Sequence, residues 1–255
     1  MLLTIDIGNT NVVFAFYQQG VQVDMFRAQS SRNKTADEYG LLLRQFFLAT
    51  DHRFQEVEGI AMASVVPTLT KTFEELCQKY LRQDPLIVTE ATDTGMPILL
   101  DDPKQVGADR IVNGVAGFAK YGGPLIVLDF GTATTFDCIS AQGEYLGGAI
   151  APGLHLSAEA LFSGTAKLPM VSLTPPNRAI GKNTDECIRS GVVLGCAYMV
   201  DSLIEQMWRE LGGPCTVVAT GGLAGQMAEV CRHIDRVDPS LTMEGLHLIW
   251  QKHTE

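Results

Sequence analysis

Three stretches of the chain place acids where a carboxylate can do chemistry. In "IDIGNTN", residues 5–11, an apolar run ends at Asp6, turns through Gly8 and small polar residues, and resumes as a second apolar run. "LDFGTAT", residues 128–134, repeats the pattern around Asp129 and Gly131. Glycine and small side chains let backbone N–H groups approach a phosphate, and a carboxylate beside such a turn suits a magnesium ion. Each turn taken alone is equally well a plain hairpin. The third stretch, "VGADRIVNG", sets Asp109 and Arg110 in the first turn of a helix whose Ile111, Val112, Val115 and Phe118 are core material. An acid there is ordinarily a partner of the helix dipole. The slim Gly107-Ala108 approach would instead leave Asp109 accessible as a general base and Arg110 free to grip a carboxylate bidentately. A fourth stretch, "VATGGLAG", ends an apolar strand on Gly221-Gly222 and starts a helix, which admits a ring or sugar against the backbone or serves only as a β–α turn.

The elements that must hold these residues follow from periodicity. Residues 2–28 read as a strand meander with a turn at Gln18-Gln19-Gly20, and Thr35-Ala-Asp-Glu38 has capping-box spacing ahead of the helical "YGLLLRQFFLA". A strand near 57–65, a helix near 68–82 and a short strand at 85–89 complete a first α/β half, with the boundary near 110–124. The second half has strands near 125–138 and 144–150, a helix near 153–165 and a Pro-rich loop at 168–178. A long apolar helix over 184–211 follows, with Gly191 and Gly195 one turn apart, then a strand at 215–219, a helix at 222–232 and a last strand near 246–250. Laid over one another at a constant offset of 123, residues 2–20 and 125–143 share Leu2/Leu125, Asp6/Asp129, Gly8/Gly131, Gln19/Gln142 and Gly20/Gly143. Such coincidence predicts either an internal duplication, with two α/β halves facing across a ligand cleft, or two unrelated hairpins.

Composition removes several function classes. The 255 residues carry a formal charge of −10, against the clustered cations that nucleic-acid phosphates demand. Six cysteines lie without CxxC or Cys/His spacing, as expected for reduced thiols rather than a zinc site, and the five histidines share no metal or triad spacing. The histidines are expected on the surface or in loops. No basic segment precedes an N-terminal apolar run, and the longest uncharged stretch, 211–228, contains Pro214 and five glycines, so a soluble cytoplasmic protein without membrane contact is expected. Gly181-Lys182-Asn183-Thr184 fails as a P-loop, since Pro176 stands where the first glycine belongs and Asn183 where Ser or Thr does. No Gly-x-Ser-x-Gly offers a hydrolase nucleophile.

Together the two Asp-x-Gly hairpins and the Thr-Gly-Gly turn resemble the superfamily of acetate and sugar kinases, heat-shock chaperone ATPases and actin. More closely, "IDIGNTN", "DPKQVGADRIVN", "LDFGTATTFD", "LGGAIAPGLHLS" and "GKNT" resemble, in order and spacing over nearly the whole chain, the motifs of type III pantothenate kinases. The resemblance implies a duplicated ribonuclease H-like (actin-like ATPase) α/β fold, with halves at 1–115 and 116–255 around a central nucleotide cleft. It implies ATP-dependent phosphorylation of the primary hydroxyl of pantothenate to 4'-phosphopantothenate, the first step toward coenzyme A, in a loose transition state that needs positioning more than a covalent nucleophile.

Residue by residue, the resemblance assigns Asp6, Ile7, Gly8, Asn9, Thr10, Asn11, Val12, Val13 and Thr132 to ATP, with Asp6 serving magnesium and phosphate. Gly107, Ala108, Asp109 and Arg110 would bind pantothenate, Asp109 as general base and Arg110 facing the carboxylate. Asp129 would hold a monovalent cation, K+ or NH4+, beside Mg2+ and ATP. Thr184 would reach the substrate from the partner subunit of a homodimer. Leu100 departs from the pattern, standing where the family often has an aromatic facing pantothenate. Two other functions fit the same fold: an accessory regulator of transcription without kinase activity, and a kinase for another small hydroxy-carboxylate.

Overall fold

The computed structural model describes residues 1–50 and 52–254. In chain order the elements are β1 (Leu2–Ile7), β2 (Asn11–Gln18), β3 (Val21–Gln29), α1 (Ala36–Ala49), β4 (Gly59–Ser64), α2 (Pro67–Leu76), β5 (Leu86–Ile87) and α3 (Ala108–Tyr121). They continue as β6 (Leu125–Phe130), β7 (Ala133–Ile139), β8 (Tyr145–Pro152), α4 (Leu154–Ser163), α5 (Thr184–Arg189), α6 (Gly195–Glu210), β9 (Thr216–Thr220), α7 (Ala224–Ala228), β10 (Arg236–Val237) and α8 (Leu241–Thr254). Two compact units result: Met1–Met96 with Asp101–Ala116 and residues 241–254, and Pro97–Leu100 with Gly117–Ser240.

The first unit holds a five-stranded sheet in the order β3-β2-β1-β4-β5, and the second a five-stranded sheet in the equivalent order β8-β7-β6-β9-β10. In each, three antiparallel strands are followed by two parallel ones. The shared order makes the internal duplication a property of the topology. It also corrects the gapless alignment. Ile7 pairs with Val12 across four turn residues, whereas Phe130 pairs with Thr134 across three. The offset is therefore 123 before the turn and 122 after it, which lays Phe14 over Phe136, both fully buried. The second meander turn, Ser140 to Glu144, is longer than the Gln19-Gly20 turn and restores the original register.

Strand alternation decides which way each aspartate projects. Leu3, Ile5 and Ile7 enter a core with Phe14, Phe16, Tyr39, Leu43 and Phe73 beneath α1 and α2. Their neighbours Leu2, Thr4 and Asp6 face the opposite side, where the Thr4 hydroxyl meets Met243 Sδ of α8 at 3.3 Å. The second unit repeats this: Ile126, Leu128 and Phe130 enter the core under α4–α7, while Leu125 and Val127 sit beneath Gly117 of α3. Asp129 thus shares the α3 face of its sheet.

Two expectations change. The predicted strand near 246–250 is the middle of α8, with Leu241, Leu246 and Ile249 buried at helical spacing and Gly245 pressed on the Val112 carbonyl. His247 accordingly lies on a helix, its ring stacked on Tyr17 at 4.5 Å. The expected helix over 222–232 contracts to the five residues of α7. The long apolar helix forms as expected, α5 and α6 joining through Ser190–Leu194 into one helix, Thr184–Glu210. It is long and apolar enough to cross a membrane, yet Ile188, Val193, Ala197, Val200 and Ile204 pack into the second core. Buried Asp201 beside them takes Arg232 Nε at 3.0 Å.

Candidate active site

In the first unit the sequence-selected residues gather at the carboxyl ends of the parallel strands β1 and β4, the end at which open α/β sheets bind ligands. Register sets Asp6 beside Ala63 and Ile7 beside Ser64. The Val65 N–H donates to the Ile7 carbonyl at 3.1 Å, and a Cβ on Gly107 would come within 3.6 Å of Val65 Cγ1. Val65 therefore brings the Asp6–Val13 hairpin and the Gly107–Arg110 segment to one place.

The hairpin turn closes with the Gly8 N–H donating to the Asn11 carbonyl at 3.0 Å, and a side chain at Gly8 would crowd that oxygen at 3.1 Å. Asn9 and Thr10 form its exposed tip. Val12 is buried and Val13 half-buried, so these two hold the turn from within β2.

Asp109 occupies the first turn of α3, its Oδ1 accepting the Arg110 N–H at 2.8 Å. A Cβ on Gly107 would stand 2.5 Å from that oxygen, so glycine is what leaves room for the carboxylate. Burial holds the Asp109 carboxyl above its ordinary value of 3.8, opposed by the Arg110 N–H and guanidinium charge. A raised carboxyl pKa is what a proton acceptor working near neutrality needs. Alongside lies a groove of ≈ 320 Å³ lined by Ser64, Val65, Val88, Thr89, Glu90, Gln105, Val106, Gly107 and Ala108. Ser64, Thr89 and Glu90 belong to no motif, and only tertiary structure reveals them, whereas Gln105 lies within "DPKQVGADRIVN".

In the second unit Asp129 and Thr132 share the equivalent turn. The Gly131 N–H donates to Ala133 O at 3.1 Å, and the Gly153 N–H to Thr132 O at 3.1 Å. Any side chain on Gly153 would overlap the Gly131 and Thr132 carbonyls, so α4 can begin directly under the turn. Gly221, at φ +91, lies so close to Asp129 Oδ1 that a Cβ there would overlap it. The Thr-Gly-Gly turn and the Asp129 carboxylate are thus one local structure, which the sequence left as two. Leu100 is half-buried and meets Gly147, where a Cβ would stand 3.1 Å from Leu100 Cδ2. Thr184 is exposed at the start of α5, after the Asn183 cap.

A model of the type III pantothenate kinase family matches residues 2–206. The type III pantothenate kinase of Moorella thermoacetica is 51% identical over 254 residues, covering 100% of both chains. Among solved structures, a Campylobacter jejuni protein described as a Baf family transcriptional activator superposes with a TM-score of 0.61 at 19% identity, over 99% of this chain and 98% of that one. The inorganic polyphosphate/ATP-glucomannokinase of an Arthrobacter species gives 0.55 at 12% identity, over 99% and 98%. At such identities these two likenesses show the fold alone, the actin-like ATPase and sugar kinase fold. Whole-length identity to curated relatives carries more: the chain belongs to the type III pantothenate kinase family.

Proposed function

We propose that the chain transfers the γ-phosphoryl group of ATP to the primary hydroxyl of pantothenate, giving 4'-phosphopantothenate and ADP at the entry to coenzyme A synthesis. Family membership supports the reaction, and one observation supports its chemistry: a carboxyl with a burial-raised pKa at Asp109, beside a groove at the strand ends. Asp109 accepts the hydroxyl proton as the oxygen attacks phosphorus and the bond to ADP breaks. Arg110 pairs with the pantothenate carboxylate and fixes the hydroxyl relative to Asp109. The Gly8–Asn11 turn and Thr132 contribute donors to the phosphates.

The donor set at the first hairpin, one carboxylate beside a turn of backbone amides, fits a magnesium ion carried on phosphate oxygens and met by Asp6 through water. When bound, that ion neutralises charge on the transferring phosphoryl group. The Asp129 carboxylate, with the Gly221 backbone drawn close because it bears no Cβ, fits a monovalent cation, K+ or NH4+. We further propose a cytoplasmic homodimer, in which the exposed Thr184 serves the partner subunit's pocket and Leu100 lines a pantothenate-facing wall. Sedimentation of the purified chain tests the dimer.

A coupled assay for ADP release, with pantothenate and Mg-ATP in the presence and absence of potassium, tests the activity. Turnover that needs pantothenate and is raised by potassium is expected. No turnover in either condition would overturn the proposal in favour of a regulatory role.

A further inference from the structure

The carbonyl groups of the first phosphate turn are held from outside by one residue. The Ser30 hydroxyl donates to the Gly8 carbonyl at 2.6 Å, and the Ser30 N–H donates to the Thr10 carbonyl at 2.9 Å. Pairing of Asn11 with Gln29 carries the β2–β3 ladder to this point, so Ser30 is the next rung beyond the last strand residue. Its flanks are fixed. The Tyr39 hydroxyl, on fully buried Tyr39 of α1, accepts the Ser31 N–H at 2.8 Å and lies 3.3 Å from the Gln29 carbonyl, as a donor to it. Arg32 Nη2 adds a longer donation to Asn9 Oδ1 at 3.5 Å.

In a trans peptide the C=O and the following N–H point opposite ways. Drawing the Gly8 carbonyl toward Ser30 therefore turns the Asn9 N–H away from Ser30, and drawing the Thr10 carbonyl does the same to the Asn11 N–H. A turn whose peptide planes are set beforehand binds an anion without the cost of ordering them on contact. The second hairpin holds its turn differently, through the backbone N–H of Gly153. In the first turn the Gly8 carbonyl is held by a side chain that substitution can remove.

We propose that Ser30 is a positioning residue for ATP: it sets the Gly8–Asn11 peptide planes so that their N–H groups meet phosphate oxygens. The proposal rests on the ATP-dependent function above. The test compares wild type, Ser30→Ala and Ser30→Thr by calorimetric titration with Mg-ATP, by steady-state kinetics and by thermal melting. Ser30→Ala should raise the ATP Kd and KM about 3- to 10-fold, the range expected for one lost hydrogen bond, with pantothenate KM and Tm little changed. Ser30→Thr, which keeps the hydroxyl, should restore ATP affinity.

An unchanged ATP Kd in Ser30→Ala would overturn the proposal. So would a fall in Tm accompanied by equal losses for both substrates, which would make Ser30 a merely structural residue. The titration separates this inference from the function it rests on. If wild type binds Mg-ATP but does not phosphorylate pantothenate, the acceptor is wrong and a weakened Ser30→Ala still supports the role of Ser30. If wild type binds no Mg-ATP, both fall.

Discussion

Replacing Asp109 by Asn should lower kcat about 10²- to 10⁴-fold while leaving the fold at least as stable as wild type. Asn has nearly the same shape and keeps an oxygen for the Arg110 N–H, now 2.8 Å from Asp109 Oδ1, in the space that Gly107 leaves open. What disappears is the negative charge and the affinity for a proton. The predicted loss corresponds to about 2.7–5.4 kcal/mol of transition-state stabilisation, at about 1.36 kcal/mol per decade.

Stability should move the other way. The folded-state pKa of Asp109 is raised, chiefly by burial, so between its unfolded and folded values the native state holds more protons than the unfolded one. Stability then falls as pH rises through that window, and above it the ionised carboxylate is a constant penalty. Asn removes the penalty. At pH 8 the variant should melt at or above the wild-type Tm, and the difference should shrink as pH falls toward the ordinary carboxylate value of 3.8. In wild type, kcat/KM for pantothenate should decline on the acid side as the base becomes protonated, with a midpoint above that same value. The assays are coupled ADP release at saturating Mg-ATP and thermal melts across pH. Near-normal turnover would refute the base assignment, and a variant that lost activity and Tm together would show Asp109 to be a structural partner of α3.

Three further substitutions probe neighbouring parts. Gly107→Ala would put a methyl 2.5 Å from Asp109 Oδ1, and displacing the carboxylate by that contact should cost about 10²-fold in kcat with ATP KM unchanged; kinetics with both substrates varied would show it. Arg110→Ala should raise pantothenate KM more than it lowers kcat, and an unaltered KM would count against a carboxylate clamp. Asp129→Ala should abolish activation by potassium in a salt titration at constant ionic strength, and persistent activation would contradict the cation assignment.

Much of the fold was legible because each half announces itself with the same apolar run, acid and glycine. The detail that escaped is instructive. Gapless identity at Gln19/Gln142 and Gly20/Gly143 concealed a turn one residue tighter at Gly131, because the longer loop at Ser140–Glu144 restores the count; only strand pairing exposes it. The run "LHLIW" at 246–250 suits a strand as well as a helix, since a short apolar run has no decisive period. The strand that belongs there, β10, is two exposed residues and has no hydrophobic signal to give. At the site, residue types marked Asp109, whereas Ser30 and the groove residue Thr89 are brought there by register and folding of distant segments. No local pattern encodes that.

The helix α8 gives the protein an order of assembly. Its Met243, Leu246, Ile249 and Trp250 complete the sheet of the first unit, where Trp250 fills the space that Gly59 leaves on β4. Yet α8 follows every residue of the second unit in the chain. On a ribosome the second unit can therefore close its core while the first, which carries Asp6 and Asp109, still lacks a helix against its sheet. Asp6 and Asp109 come under one finished core only after α8 has emerged. A product terminated within the second unit would leave that sheet uncovered, marked by exposed apolar surface for chaperones and proteases instead of persisting as a half-competent kinase.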